Sequence, residues 1–185
     1  MTTVLVLVGS LRAASTNRQI ADTAVQLAPE GVELSIYNGL GDLPFYNEDL
    51  DVEGSIPQPA VDFRAAIAAS DAVLVVTPEH NGTMPAVLKN AVDWASRPYG
   101  ASPLSGKPLA AIGSAFGQFG GVWAQDDARK AFGIAGANVL TEVTMAIPGS
   151  VVRFADVHPK DDAEVVQQLT VVLGGLVAAT TLAAA

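Results

Sequence analysis

Cysteine is absent from all 185 positions of the chain. That lack removes disulfides, thiolate nucleophiles and cysteine metal sites together, so any redox chemistry has to come from a bound cofactor. Histidine is scarce as well. His80 and His158 stand alone, with no carboxylate spaced to join them, and a histidine metal site is not expected. Basic residues are few: 10 Lys and Arg face 19 Asp and Glu, a formal charge of −9. The long-range field of such a chain repels nucleic acid and anionic lipid, and polyanion binding would need a strongly local basic site. Charged residues make up only 16% of the chain against 50% hydrophobic, which argues against disorder and suits an α/β protein whose central strands are covered on both faces. No internal repeat and no linker rich in glycine or charge divides the chain, so one domain over residues 1–185, with one core, is expected.

The start, TTVLVLVGS, has neither a basic segment nor a small-residue cleavage site, so it does not read as a secretory signal, and a cytoplasmic location is the expectation. No nucleic-acid or membrane partner is expected. The far end invites a membrane reading, because no residue from Val165 to Ala185 is charged and the length would span a bilayer. Against it, Gln167, Gln168, Thr170, Gly174, Gly175, Thr180 and Thr181 suit lipid poorly. Val165, Leu169, Val172, Leu173 and Leu176 fall on one helical stripe, which predicts a final helix packed on a sheet, with a ragged alanine tail after it.

Between the ends, valine-rich runs alternate with helical patterns. VLVLVG (4–9) has the consecutive apolar residues of a strand buried on both faces. Ser15 or Thr16 can cap a helix carrying Ile20, Ala24, Leu27 and Ala28. VELSIY (32–37) is a shorter strand. A long polar loop, 38–58, leads to a helix near 60–69, followed by the strand AVLVVT (72–77). A helix over 85–95, a strand LAAIGSA (109–115), a helix over about 123–132 and a strand VLTEVTMAI (139–147) come next. Five strands alternating with five helices predict a parallel sheet with helices on both faces. In such sheets ligands sit outside the carboxyl ends of the strands, where the strand order reverses, which puts three loops in contention.

The first, GSLRAASTN (9–17), gathers Ser10, Arg12, Ser15, Thr16 and Asn17 between a strand end and a helix start. Free amides and a helix dipole suit a phosphate there, hydroxyls add donors, and an arginine can grip two oxygens; a plain capped turn would need no arginine. With one glycine it is neither a dinucleotide fingerprint nor a Walker loop, which favours a mononucleotide. The second loop is the start of PEHNGTMPAVLKNAVDW (78–94). Pro78 fixes a turn, Asn81-Gly82 permits positive φ, and Pro85 suits a first helical position, so the loop either aims amides at a flat ring or merely finishes a strand. His80 could stack on a ligand or lie at the surface. The third loop, GSAFGQFGG (113–121), is a weak signal by itself. Lys89 and Asp93, at i and i+4, predict a helix-surface ion pair.

Together GSLRAASTN (9–17) and PEHNGTMPAVLKNAVDWASRP (78–98) resemble the NAD(P)H-dependent FMN reductase family, which includes quinone, chromate and azo-compound reductases. The resemblance implies a flavodoxin-like three-layer α/β fold, a five-stranded parallel sheet in the order 2-1-3-4-5 with helices on both faces. It implies FMN as cofactor and NAD(P)H as co-substrate, with hydride passing through the flavin to a small-molecule acceptor such as a quinone, free flavin, chromate or azo compound. The phosphate would be held by Ser10, Arg12, Ser15 and Asn17, with Thr16 beside them. Pro78, Glu79, His80, Asn81, Gly82 and Thr83 would border the isoalloxazine, and Ser114 would reach it from the third loop. Tyrosine is usual in the family where this chain has His80, and Ala13 and Ala14 replace residues often glycine or lysine. Members are commonly dimers or tetramers with the flavin near an interface, which here would involve Trp94, Phe116 and Phe119. A flavodoxin-like electron carrier or partner-binding protein without NAD(P)H turnover is the alternative, favoured by the acidic charge.

Overall fold

The computed structural model describes residues 1–183, so the last two residues of the expected alanine tail, 184 and 185, lie outside the described residues. Four long runs form the sheet: β1 (Thr2–Val8), β2 (Val32–Ile36), β3 (Ala72–Thr77) and β4 (Pro108–Ser114). All pair in parallel in the order β2-β1-β3-β4, continued by β5 (Asn138–Val139). Every residue of β3 and β4 is buried, as unbroken apolar runs in a doubly covered sheet require.

The period-two alternation sorts the core into two halves. Leu5, Leu7, Val73, Val75, Leu109 and Ala111 face α2 (Gln58–Ala69), α3 (Ala86–Ala95) and α4 (Val122–Ile134), which contribute Phe63, Ile67, Leu88, Trp94 and Phe132. Val4, Val6, Val8, Leu74, Val76, Ala110 and Ile112 face α1 (Thr16–Gln26) and the last helix, α6 (Ala163–Ala183), separated from α4 by a one-turn helix, α5 (Ser150–Arg153). By length and composition α6 could cross a membrane. Its stripe Val165, Leu169, Val172, Leu173 and Leu176 is instead buried against the sheet.

Two local expectations are corrected. The run 139–147 is not one strand: β5 pairs with the start of β4, and a second two-residue strand, β6 (Ala146–Ile147), pairs with its end. The edge takes eight residues, from Val139 to Ala146, where β4 takes only five, from Leu109 to Gly113. The surplus loops out, and Val143 within it packs on α6 at Gly175. Pro85 is also one position early for the first helical residue: with ψ 150° it is extended and precedes the first turn of α3.

Candidate functional site

The strand order reverses between β1 and β3, and the loops leaving β1, β3 and β4 converge there. In the first loop Ser15 is the cap of α1, its Oγ accepting from the Arg18 N–H at 3.3 Å while its own N–H donates to the Arg12 carbonyl at 3.1 Å. The capped turn is therefore real. It leaves much unspent: among the described residues none of the N–H groups from Ser10 to Ala14 donates to a backbone carbonyl or a side chain. Arg12 is exposed and forms no ion pair with any described residue. Thr16 opens the helix half-buried. Ser10, Leu11, Arg12 and Ala13 line a concavity of about 400 Å³ whose far wall is Tyr37, Asn38 and Leu40.

Asn17 has a different position from its neighbours. It is buried, its Nδ2 donates to the Ser114 carbonyl at 3.0 Å, and its Oδ1 accepts from the Ser114 N–H at 2.9 Å. This amide splints the start of α1 to the end of β4. The Ser114 hydroxyl, buried at the same point, has no partner among the described residues.

The second loop is a tight hairpin. Asn81 (φ 55°) and Gly82 (φ 74°) make its two-residue tip, and His80 and Thr83 exchange N–H···O bonds of 3.1 Å across it. Asn-Gly tolerates the paired positive φ that such a turn demands. Both legs are tied to α4. Glu79 accepts from the Ala124 N–H at 3.2 Å, placing a carboxylate at the amino end of that helix where its dipole favours one. Thr83 donates its hydroxyl to Asp127, and the Met84 N–H reaches the same oxygen at 3.5 Å. Pro78 is half-buried, its carbonyl accepting from the Thr77 hydroxyl at 2.8 Å. His80 is exposed at the mouth of a groove of about 1110 Å³ between α3 and α4, which Lys89, Asp93, Asp127 and Lys130 also line. The ion pair predicted for Lys89 and Asp93 is present at 2.6 Å.

In the third loop Phe116 and Phe119 are exposed, and Phe119 lies tilted on Trp123 with ring centroids 5.2 Å apart. Trp94 does not join them at the surface. It is fully buried, edge-on to Tyr46 at 5.0 Å, and its indole N–H donates to the Pro44 carbonyl at 2.7 Å. The apolar face of α3 draws it inward, so it anchors the long loop after β2 rather than any outer contact. Sequence reasoning passed over Asp127, the Asn17 splint, and Tyr37 and Asn38 across the concavity. Asn17 and Ser114 stand 97 positions apart, and no local pattern marks such a pair.

The sequence profile of the family described as NADPH-dependent FMN reductase matches residues 2–151. A quinone reductase of Pseudomonas putida is 49% identical over 127 residues, covering 69% of this chain and 67% of its own. An NAD(P)H-dependent FMN reductase of Pseudomonas aeruginosa is 40% identical over 163 residues, covering 88% of this chain and 75% of its own. Among solved structures, the flavoenzyme NAD(P)H:(acceptor) oxidoreductase of Paracoccus denitrificans is similar over 100% of this chain and 98% of its own, with a TM-score of 0.76 and 30% identity.

Proposed function

The chain belongs to the NADPH-dependent FMN reductase family, and from that premise we propose how its residues serve the cofactor and the two substrates. The protein is an oxidoreductase that uses NAD(P)H, through FMN, to reduce small quinone-like acceptors. FMN, when bound, would supply the redox chemistry between NAD(P)H and the acceptor, while the protein contributes position and electrostatics.

The residues at the strand ends suit that cofactor. One observation carries this: unspent donors collect there, namely the amides of Ser10 to Ala14, the guanidinium of Arg12 and the buried hydroxyl of Ser114. Ser10, Arg12, Ser15 and Thr16 hold the phosphate, Arg12 by a charge-assisted contact that can engage two oxygens. Asn17 acts chiefly as the splint that brings this loop to Ser114. Pro78 to Thr83 border the ring; the N–H groups of His80 and Thr83 are spent across the hairpin, which leaves those of Glu79, Asn81 and Gly82, undonated among the described residues, as the ones that would offset negative charge on the ring. One FMN-binding domain spans the chain, since α6 packs back on the sheet that begins at Thr2.

We also infer a homodimer or homotetramer in the cytoplasm. The groove between α3 and α4 supports self-association, with exposed Tyr99 and Ile134 on its walls and the His80 tip on its rim. Light scattering on purified protein would read the assembly directly, and a monomer at all concentrations would refute it.

The deciding experiment is an absorption spectrum of the purified protein before and after NADPH, followed by NADPH and NADH oxidation with a quinone. A yellow protein that bleaches and turns over is expected, and a colourless one that FMN cannot reconstitute would overturn the site. Arg12→Ala should weaken FMN binding by about 1.5–3 kcal/mol, the size of one hydrogen bond to a charged group. An unchanged affinity would remove Arg12 from the phosphate.

A further inference from the structure

The basic side chains are few enough to account for individually. Arg18, Arg64, Lys89, Arg97, Arg129 and Arg153 each meet a carboxylate, and Lys107 donates to the Ser70 carbonyl. Among the described residues that leaves Arg12, Lys130 and Lys160 without an acidic or carbonyl partner. Arg12 belongs to the phosphate loop and Lys130 lines the groove between α3 and α4. Lys160 has no such context.

It stands on the rim of a concavity of about 520 Å³ between α1, β2 and the turn Pro159–Asp161, lined also by Arg18, Asp22, Asn38 and His158. This hollow and the one under Arg12 share Arg18, Asp22 and Asn38, so they adjoin. The donors here are aligned by the protein itself. Arg18 gives Nε to Asp22 at 3.1 Å and Nη1 to Asn38 at 2.7 Å, which steadies the guanidinium and leaves Nη2 unspent. Asp22, the carboxylate lining the hollow, is held by that guanidinium in a partly exposed i,i+4 pair. His158 accepts the Lys160 backbone N–H on Nδ1 at 3.2 Å, so its remaining ring nitrogen, Nε2, carries the proton and is a donor. With Arg18 and Asp22 offsetting each other, the Lys160 ammonium is the uncommitted charge of the hollow, and the free Arg18 Nη2 and the His158 ring N–H stand beside it as donors, a set that suits an anion with several oxygens in a chain whose net charge is −9.

We propose that this concavity seats a phosphate, and that the phosphate is the 2′-phosphate that distinguishes NADPH from NADH, with Lys160 as its principal cation. The assignment rests on the oxidoreductase reading above and on this hollow adjoining the cofactor's own phosphate loop through Arg18, Asp22 and Asn38. Lys160 carries the discrimination because it is the one cation lining this hollow that no acidic or carbonyl group of the described residues already holds.

The test compares the FMN-loaded wild type with Lys160→Ala and Lys160→Arg. Lys160→Ala should raise KM for NADPH about tenfold, the scale of one lost charge-assisted bond, while KM for NADH moves less than about twofold; Lys160→Arg should restore most of the difference. Calorimetric titration with 2′,5′-ADP and 5′-ADP should show the former binding more tightly to wild type and the gap closing in Lys160→Ala. Equal changes for the two nucleotides, no change for either, or an unaltered 2′,5′-ADP preference would each overturn the proposal. The titration needs no turnover. A protein that binds 2′,5′-ADP through Lys160 yet never oxidises NADPH would therefore refute the enzymatic reading and keep the phosphate seat, whereas turnover with an indifferent Lys160 would do the reverse.

Discussion

A hydroxyl buried without a partner weakens a fold, and Ser114 holds one at the end of β4. Its desolvation is unrecovered until a ligand accepts or donates there. Ser114→Ala should accordingly leave the FMN-free protein as stable or slightly more so in thermal unfolding. FMN affinity, followed by flavin fluorescence, should fall by about 0.5–1.5 kcal/mol, one ordinary hydrogen bond. Loss of stability without loss of affinity would mean that the hydroxyl serves the fold. Asn17 should behave in the opposite manner. Its amide satisfies both backbone groups of Ser114, so Asn17→Ala strands a buried N–H and a buried carbonyl and should destabilise the FMN-free protein by about 1–3 kcal/mol. An Asn17→Ala protein of normal stability but poor FMN retention would return Asn17 to the phosphate itself. The two residues show what sequence can disclose at this scale. Serine, arginine and asparagine after a strand announce a polar loop, but which polar atom is spent on the fold and which is left for a ligand depends on a neighbour 97 positions away.

Among the elements, the β3–α3 hairpin depends on its anchorage to α4. Asp127 receives the Thr83 hydroxyl and lies near the Met84 N–H, while Glu79 caps the first turn of α4. Asp127→Asn keeps the shape and removes the charge, so the hairpin amides should exchange hydrogen faster in the FMN-free protein while the protection of β3 and β4 stays as it was. Unchanged hairpin exchange would show that the turn holds itself. A harsher constraint lies at Gly113, where an added Cβ would come 1.9 Å from the Thr77 carbonyl oxygen, an atom fixed in the adjoining strand. Gly113→Ala therefore cannot be absorbed by a rotamer change, and it should lower the unfolding free energy by more than about 3 kcal/mol, beyond the usual range for a point substitution. At this scale the sequence was most legible where the signal is longest. The buried runs of β1, β3 and β4 and the stripe of α6 followed from pattern alone, because doubly covered strands and a helix packed on one face leave little freedom. The sheet edge did not. VLTEVTMAI has strand composition throughout, yet the pairing with β4 has room for only part of it, and register is a property of the partner rather than of the run. The one-turn α5 and the 3₁₀ turns of the long loop after β2 were equally hidden, being too short to carry a period.

For the molecule as a whole, three carboxylates act as clamps, two on segments outside the sheet and one where β3 enters it beside β1, and they set how stability responds to acid. The bidentate Arg64 guanidinium, at 2.8 Å on both oxygens, holds Asp51 below the ordinary carboxylate range and clamps the long loop onto α2. The Thr3 N–H and hydroxyl hold Asp71 low and tie the start of β3 to β1. Arg153 holds Asp162 low and joins α5 to the cap of α6. Each group has a folded pKa depressed below its unfolded value, so each contributes stability that is fully present above the unfolded value, about 3.9 for an aspartate. That contribution is lost as pH falls through the depressed folded value. Urea unfolding should thus show no dependence on these groups near pH 7 and a midpoint that drops steeply below about pH 4. The loss should be shared, because the three clamps lie on separate segments and should add. Replacing all three by asparagine should lower the midpoint at pH 7 and flatten the acid limb, since the folded form would no longer bind fewer protons than the unfolded one at these sites. A triple variant with an acid limb as steep as wild type would place the acid sensitivity elsewhere among the 19 acidic residues, in the general self-repulsion of the chain rather than in its clamps.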